Sequence, residues 1–190
     1  MDPLVIALIV IATVVVLLLL WLVGAYNGLV RLRNQLKNAW AQIDVQLKRR
    51  WDLIPNLVET VKGYTQHEAG TLQRVTEART AAQKASGGSV AQRAQAEGEL
   101  SAALGRLMVV VEAYPDLKAN QNYLALQEEL TSTENRIGFA RQFYNDSAMQ
   151  FNNKIQMFPT NIVAGIFNFK AGEFFELKDE AAREAPKVKF

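Results

Sequence analysis

The chain begins with an uncharged apolar run from Leu4 to Val23, which constrains its fold more than any other feature. The run is 20 residues long and contains one polar side chain. A helix rises about 1.5 Å per residue, so this run spans about 30 Å, the thickness of a bilayer's hydrocarbon core. The sequence therefore predicts a transmembrane anchor over residues 1–25. Trp21 and Tyr26 are expected at the membrane–water interface, where amphipathic rings prefer to lie.

A cleaved signal peptide is the alternative, because the small residues at 23–25 resemble a cleavage site. A signal peptide has a positively charged start and an apolar stretch of about 7 to 15 residues. Here Asp2 is the charged residue before the run, and the run is 20 residues long. We therefore expect an uncleaved anchor.

Basic residues after the anchor predict its orientation. They are Arg31, Arg33, Lys37, Lys48, Arg49 and Arg50, and Asp44 is the one acidic residue among them. Positively charged flanks favour the cytoplasmic side of a membrane. We expect a single-pass protein with a short N-terminus outside and a cytoplasmic body. The basic side chains either contact anionic lipid headgroups or form a solvated helix face.

Composition limits the classes of partner and chemistry. The chain has 190 residues, a net charge of +2 and no cysteine. About 165 residues remain beyond the anchor, enough for one domain with a core. The small net charge and the lack of interleaved basic and aromatic residues argue against a nucleic-acid partner. The absence of cysteine agrees weakly with a cytoplasmic body.

Apolar residues recur with helical spacing after the anchor. The first seam comprises Leu29, Leu32, Leu36, Ala39 or Trp40, Ile43 and Leu47. Its steps of three and four are typical of a helix packed lengthwise on partners. We therefore expect the anchor helix to continue unbroken into the soluble region. The predicted fold is all-α, an elongated antiparallel cytoplasmic helical bundle over residues 26–157.

Pro55 is the first expected interruption of this helix. Proline lacks an amide hydrogen and clashes with the preceding turn. The helix is expected either to kink here or to restart, with Asp52 as its cap and Pro55 in its first turn. The helical stripe then resumes at Leu57 and continues to Ala82.

Two reversals and one long helix are expected in the rest of the bundle. Residues 86–89, with sequence SGGS, predict a loop. Tyr114, Pro115 and Asp116 predict a second reversal. Asn120 is expected to cap a helix whose stripe comprises Tyr123, Leu126, Leu130, Thr133, Ile137, Ala140, Tyr144, Ser147, Phe151 and Ile155.

Residues 158–190 form an aromatic-rich tail with a charged end. Its apolar part is well below the length of a membrane span. It is either a hydrophobic cap over the bundle, an interfacial membrane contact or a subunit interface. The residues expected to form this interface are Phe158, Ile162, Ile166, Phe167 and Phe169.

The sequence offers no recognisable catalytic or metal site. Without cysteine there is no thiol nucleophile or cysteine zinc site. His67, the single histidine, cannot complete a zinc-protease or di-iron pattern, and we expect it on a helix surface. The glycine pair at 87–88 lacks the spacing and the lysine of a P-loop. We predict neither an enzyme nor a bound cofactor.

Three passages of the sequence resemble the LemA family. They are residues 26–34 (YNGLVRLRN), 39–57 (AWAQIDVQLKRRWDLIPNL) and 114–120 (YPDLKAN), the last continuing through Leu126, Gln127, Leu130, Glu134, Ile137, Ala140, Arg141, Tyr144 and Asn145. Asn152, Phe158, Pro159 and Phe167 fit the end of the family pattern. Trp51 stands where the family more usually has a small residue.

The resemblance implies an inner-membrane protein with one N-terminal anchor, a cytoplasmic helical bundle and no known active site. The motif residues Arg49, Arg50, Asp52 and Asn56 are expected around the helix break, with Tyr114, Pro115 and Asp116 packed beside it. Asp52 is expected to pair with an arginine and so to fix the angle of the helix.

Two functions are compatible with these features. The first is a scaffold that self-associates into a homo-oligomer on the membrane lipid and shapes or organises it, because heterologous contacts close when their rotation permits. The second is an adaptor that presents its bundle to another membrane protein, such as a protease or signalling receptor.

Overall fold

All the regular structure in residues 2–65 and 68–176, the part of the chain that the structure describes, is helical. The structure is a computed structural model. Its helices are α1 (Pro3–Lys62), α2 (Ala69–Lys84), α3 (Val90–Val111), α4 (Pro115–Lys118), α5 (Gln121–Gln156) and α6 (Thr160–Ile166), with a 3-10 turn at Ala85–Gly87. The expected all-α class is confirmed for these residues. His67 and the charged end of the tail, from residue 177 onward, lie outside them.

Helix α1 runs without interruption from Pro3 to Lys62, so the expected continuation of the anchor into the soluble region is confirmed. Among the described residues it is the one helix long and apolar enough to cross a membrane. Its most apolar window is not buried by any other part of the protein. Leu4, Trp21 and Val23 are exposed. The chain is thus a membrane-associated helical protein with one candidate span.

The expected helix restart at Pro55 is wrong. Pro55 lies inside α1, and Asp52 occupies an interior helical position rather than a cap. A proline at this position cannot donate to the carbonyl four residues earlier, which is that of Trp51. That carbonyl needs another donor, because an unpaired buried backbone group is costly.

Arg79 of α2 supplies the missing donor. Its Nε atom donates a hydrogen bond of 2.7 Å to the Trp51 carbonyl oxygen. This bond replaces the one that Pro55 removes, and α1 therefore passes through the proline. The bond joins residues 28 positions apart, and nothing in the local sequence around Pro55 indicates it.

The first helix instead continues past Pro55, and α2 begins at Ala69. Helix α1 ends at Lys62, where Gly63 and Tyr64 form a turn. The expected stripe from Leu57 to Ala82 is thus divided between α1 and α2. Leu57, Val61, Leu72, Val75 and Ala82 are buried as expected, whereas Tyr64, which was also expected in this stripe, is exposed.

Side-chain caps define the starts of α3 and α5. Ser89 forms a capping box with Gln92, in which each residue's side chain accepts from the backbone of the other. The oxygen of the Asn120 side chain accepts a hydrogen bond of 3.0 Å from the Tyr123 amide. The expected loop at 86–89 and the expected cap at Asn120 are both confirmed.

The long stripe on α5 is buried as expected. Its members are buried except for Leu126 and Ile155, which are half-buried. Helical spacing therefore predicted this face of α5 correctly.

The described chain divides into two compact units. The first, here called the anchor unit, contains the residues up to Trp40 together with Phe143–Gly172. The second unit contains Ala41–Gln142 and the residues from Glu173 onward. In the second unit α2 packs against α3, and Phe175 is buried.

We predict that the stability provided by Arg79 depends on Pro55. In the native chain, Arg79→Ala leaves the Trp51 carbonyl without its side-chain donor, and we expect it to cost about 1–3 kcal/mol. In a Pro55→Ala background the new amide can donate to that carbonyl, so Arg79→Ala should cost less. Denaturation of the four variants, followed by circular dichroism in detergent, gives the coupling energy. If Arg79→Ala lowered the free energy of unfolding equally in the native chain and in Pro55→Ala, this account of Arg79 would be refuted.

Candidate functional site

The motif residue Arg50 lies at the centre of a buried ion-pair cluster in the second unit. Its side chain is 1% exposed. One terminal nitrogen donates to the Glu134 carboxylate at 2.7 Å and to the Ser101 hydroxyl at 2.9 Å. The other pairs with the Glu97 carboxylate. A single guanidinium on α1 thereby joins α3 and α5.

Glu97 lies on the buried face of α3 and receives two kinds of donor. Besides Arg50, the indole Nε1 of Trp51 donates to its carboxylate at 3.0 Å. Burial raises the pKa of Glu97 above its usual value of 4.5, and the neighbouring Arg50 opposes this rise. Trp51 is itself buried. Trp51 is therefore part of the cluster.

A second ion pair extends the cluster along α1. Arg93 of α3, which is 2% exposed, pairs with Asp44, and Lys48 contacts the same carboxylate at 2.8 Å. Burial alone would raise the pKa of Asp44, but the hydrogen bonds and charges of Lys48 and Arg93 outweigh it and lower this pKa below its usual value of 3.8. The guanidinium of Arg93 also lies 5.7 Å from the centre of the Trp51 ring.

The other motif residues expected near Pro55 are on the exposed side of α1. Arg49 pairs with Glu129 of α5, its Nε donating at 2.7 Å, and both side chains are exposed. Asp52 and Asn56 are exposed. The two motif arginines pair elsewhere, Arg49 with Glu129 and Arg50 with Glu97 and Glu134.

Tyr114, Pro115 and Asp116 form the start of a short helix rather than a simple turn. Pro115 occupies the first helical position of α4, with Tyr114 before it. The hydroxyl of Tyr114 lies 3.4 Å from the Glu68 carboxylate. Its partner is thus in the segment after α1, and not among the motif residues of 49–56. Asp116 is exposed.

The sequence contained a signal for two buried charged residues, Arg93 and Glu97, that the sequence analysis did not identify. The apolar stripe of α3 is interrupted between Ala94 and Leu100 by Glu97, and Arg93, one turn before Glu97, is buried on the same face. A charged residue at a core position requires a buried partner. Glu134 was a motif residue whose role the sequence left open.

Half of the basic residues after the anchor are engaged within the protein. Lys48, Arg49 and Arg50 pair with Asp44, Glu129 and, for Arg50, Glu97 and Glu134. Lys48 and Arg49 remain exposed while they make these ion pairs, whereas Arg50 is buried. Arg31, Arg33 and Lys37 are exposed.

The tail packs onto α1 within the anchor unit. One face of α6, formed by Val163 and Ala164, is buried in a cluster with Leu29 of α1 and Phe151 of α5. Around this cluster lie Ala25, Tyr26, Leu32, Leu36, Ile155 and Phe169. This face serves as the expected hydrophobic cap.

A defined turn at the end of α6 returns the chain to α1. The amide of Asn168 bonds to the carbonyl of Gly165, and that of Phe169 to the carbonyl of Ala164. Asn168 has φ of 53°, which asparagine tolerates better than most residues. This is a Schellman motif, and its usual apolar contact is present between Phe169 and Ala164.

Aromatic contacts place this turn beside Tyr26. The Tyr26 ring lies 4.6 Å from that of Phe167 and 5.9 Å from that of Phe169, measured between centroids. The guanidinium of Arg33 lies 5.1 Å from the Phe169 ring centre. Further along, Asn152 exchanges two hydrogen bonds of 2.9 Å and 2.8 Å with the backbone of Gly172. The tail is thus attached to both α1 and α5.

The outer face of α6 is apolar and uncovered within the described chain. Phe158 is 79% exposed and Ile166 is 67% exposed. Ile162 and Phe167 are also exposed, whereas Phe169 is half-buried. The five residues expected to form an interface therefore divide into four that are exposed and one that packs inward.

Comparison with known proteins identifies relatives over most of the chain. A family model described as the LemA family matches residues 39–190. Protein LemA of Metamycoplasma hominis is 34% identical, over 75% of this chain and 64% of its own length. Magnetosome protein MamQ 2 of Paramagnetospirillum magneticum is 29% identical, over 80% of this chain and 65% of its own length. The chain thus spans just under two thirds of these relatives.

We predict that the Arg50 pair contributes far more to stability than the adjacent Arg49 pair. Arg50→Ala leaves a buried carboxylate without its counter-charge, which costs about 3–5 kcal/mol. Arg49→Ala removes an exposed pair worth about 0–1 kcal/mol. Thermal unfolding of both variants in the same detergent measures the difference. If the two lowered stability equally, the cluster would not have the role assigned to it.

We also predict a pH-dependent contribution from Asp44. The pKa of Asp44 is lower in the folded chain than the usual 3.8. Its contribution to folding stability is therefore fully present above pH 3.8, and is lost as the pH falls through the pKa of the folded state. Asp44→Asn should therefore destabilise the protein at pH 7 by about 1–3 kcal/mol. The difference in unfolding free energy between Asp44→Asn and the native chain should become smaller below pH 3.8. A difference that did not change with pH would contradict the role assigned to the Asp44 carboxylate.

Proposed function

This chain belongs to the LemA family, and we propose that it is a membrane-anchored scaffold that self-associates at the cell inner membrane and organises or shapes it. In this proposal the apolar part of α1 spans the membrane once. The short N-terminus lies outside and the remaining helices form an antiparallel cytoplasmic bundle. The basic residues that follow the span favour this orientation.

The observation that carries the proposal is an exposed phenylalanine pair on α5. Phe139 is 73% exposed, and Phe143, one helical turn later, is 41% exposed. An isolated exposed apolar residue is ordinary. Two aromatic rings one turn apart are more typical of interface cores, where aromatic side chains are enriched.

The anchor strengthens this argument. Copies held in one membrane share an orientation and meet in two dimensions, so a weak side-to-side contact suffices for association. If the contact uses different surfaces on the two copies, a repeated rotation closes into a ring. Such a ring of anchored helices fixes many spans in one plane, which is how the proposed scaffold would act on the membrane.

The relatives support a structural role without defining it. Three of the proteins similar to this chain are named as magnetosome proteins. From these names we carry over to the proposal for this chain only an association with a cellular structure. Among the described residues there is no group of three or more His, Cys, Asp or Glu side chains placed to hold a metal ion.

An adaptor for another membrane protein is the second candidate, and one feature of α3 and α5 favours it. A groove of about 330 Å³ lies between these helices, lined mainly by Leu104, Met108, Leu130 and Thr131. Grooves of this size accept an apolar side chain of a partner. The adaptor would remain small in the absence of that partner.

We predict that self-association depends on Phe139. Phe139→Glu places a charge in the proposed contact and should shift the purified chain from a multimer toward a monomer. Ala91→Glu adds the same charge at an exposed position of α3 and should leave the mass unchanged. Gel filtration with light scattering, in mild detergent at micromolar concentration, measures both. A native chain that is a stable monomer there would contradict the scaffold and favour the adaptor.

A further inference from the structure

The outer face of α6 lies beside the end of the candidate span. Tyr26 comes three residues after Val23, so the two are about 4.5 Å apart along the helix axis. The polar headgroup region extends about 5–7 Å beyond the hydrocarbon core on each side. A ring in contact with Tyr26 is therefore at headgroup depth if the span ends near Val23. Phe167 makes that contact at 4.6 Å.

The contacts of α5 with α1 show that the C-terminal end of α5 lies toward the candidate span. Near the far end of the anchor unit, Trp40 of α1 lies 5.3 Å from Tyr144 of α5, measured between ring centroids. Later residues of α5 join the cluster around Leu29, which also includes Ile155 and Ala25. As α5 proceeds, its contacts move toward the span. Helix α5 ends at Gln156, two residues before Phe158.

The exposed side chains of this segment occupy one side of it. Ile162 and Ile166 are one helical turn apart on α6, opposite the buried pair Val163 and Ala164. Phe158 lies in the turn before α6 and is the most exposed of the tail phenylalanines among the described residues. We call Phe158, Ile162, Ile166 and Phe167 the outer tail face.

From these placements we infer that the outer tail face inserts into the headgroup layer of the membrane that α1 spans, as a second and monotopic membrane contact. Short apolar helix faces bind such interfaces, and nearby basic residues strengthen their binding to anionic lipid. The nearest exposed basic residues on α1 are Arg31 and Arg33, about 12 Å and 15 Å beyond Val23 along the helix axis. The inference rests on the proposed membrane insertion of α1.

We assign lipid as the occupant of this face because of its depth. A second copy anchored in the same membrane would present residues at the same depth, and dilution with unlabelled chain separates the two cases. Lipid headgroups and the upper acyl chains are already present there around every copy. The contact would fix the tilt of α1, because it attaches the chain to the membrane at a second point.

A spin-label experiment tests this inference on the full chain. The sequence contains no cysteine, so Ile166→Cys and Ile162→Cys each provide one labelling site on the outer tail face. Val14→Cys, in the middle of the span, is the membrane reference. Asn38→Cys is the aqueous reference, because it is exposed on α1 about 22 Å beyond Val23.

Each labelled variant is reconstituted into vesicles of three parts phosphatidylethanolamine to one part phosphatidylglycerol. Collision of the label with oxygen, relative to collision with a water-soluble nickel chelate, reports membrane depth. We expect the ratios at positions 162 and 166 to shift from the Asn38 value toward the Val14 value. They should keep that shift when the labelled chain is diluted with unlabelled chain.

Two results would overturn the inference while leaving the anchor in place. Ratios at 162 and 166 equal to that at Asn38 would show that the face is in water. Spectral broadening that disappears on dilution would show that a second copy covers the face. If Val14 itself gave an aqueous ratio, the proposed insertion of α1 would fail, and the inference with it.

Discussion

The charge of Arg50 is the constraint on which the second unit depends. An arginine remains protonated at any physiological pH, and a guanidinium that is 1% exposed must be paired and hydrogen-bonded. Glu97 of α3 and Glu134 of α5 provide the two carboxylates, so α1, α3 and α5 have to meet at one level. Replacing such a cluster by apolar residues often leaves stability unchanged. We therefore interpret it mainly as a device that specifies the register of three helices.

The continuity of α1 depends on a second long-range contact. Pro55 removes one backbone hydrogen bond from the helix, and Arg79 replaces it at the Trp51 carbonyl. Trp51 takes part in both arrangements, because its indole also donates to Glu97. The backbone repair and the ion-pair cluster are thus adjacent on α1. Only the contact with Glu97 requires the indole, because any residue at position 51 supplies the carbonyl.

Local pattern predicted most of the helices, and long-range contacts account for what it missed. The caps at Ser89 and Asn120 and the buried stripe of α5 follow from residue type and spacing. The passage of α1 through Pro55 could not be predicted locally, since its cause lies 28 residues away. Arg50 was recognised as a motif residue, but its partners were not identified. Its true partner, Glu97, was visible only as a charge within an apolar stripe.

The same distinction applies to the candidate surfaces. The sequence identified the tail residues, but the structure was needed to divide them into a buried cap and an exposed face. Helical spacing did not single out Phe139 of α5, because an exposed aromatic residue has no distinctive pattern of its own. The two exposed surfaces suit different partners, lipid for the tail and a second copy for α5.

The central claim is that copies of this chain contact one another through α5. The most direct measurement is photo-crosslinking in intact cells, with Phe139 replaced by p-benzoylphenylalanine so that an aromatic ring is retained. The account predicts that irradiation gives an adduct of two copies, shown by recovery of two different tags from cells that express both. An adduct that instead joins one copy to a different membrane protein would contradict it.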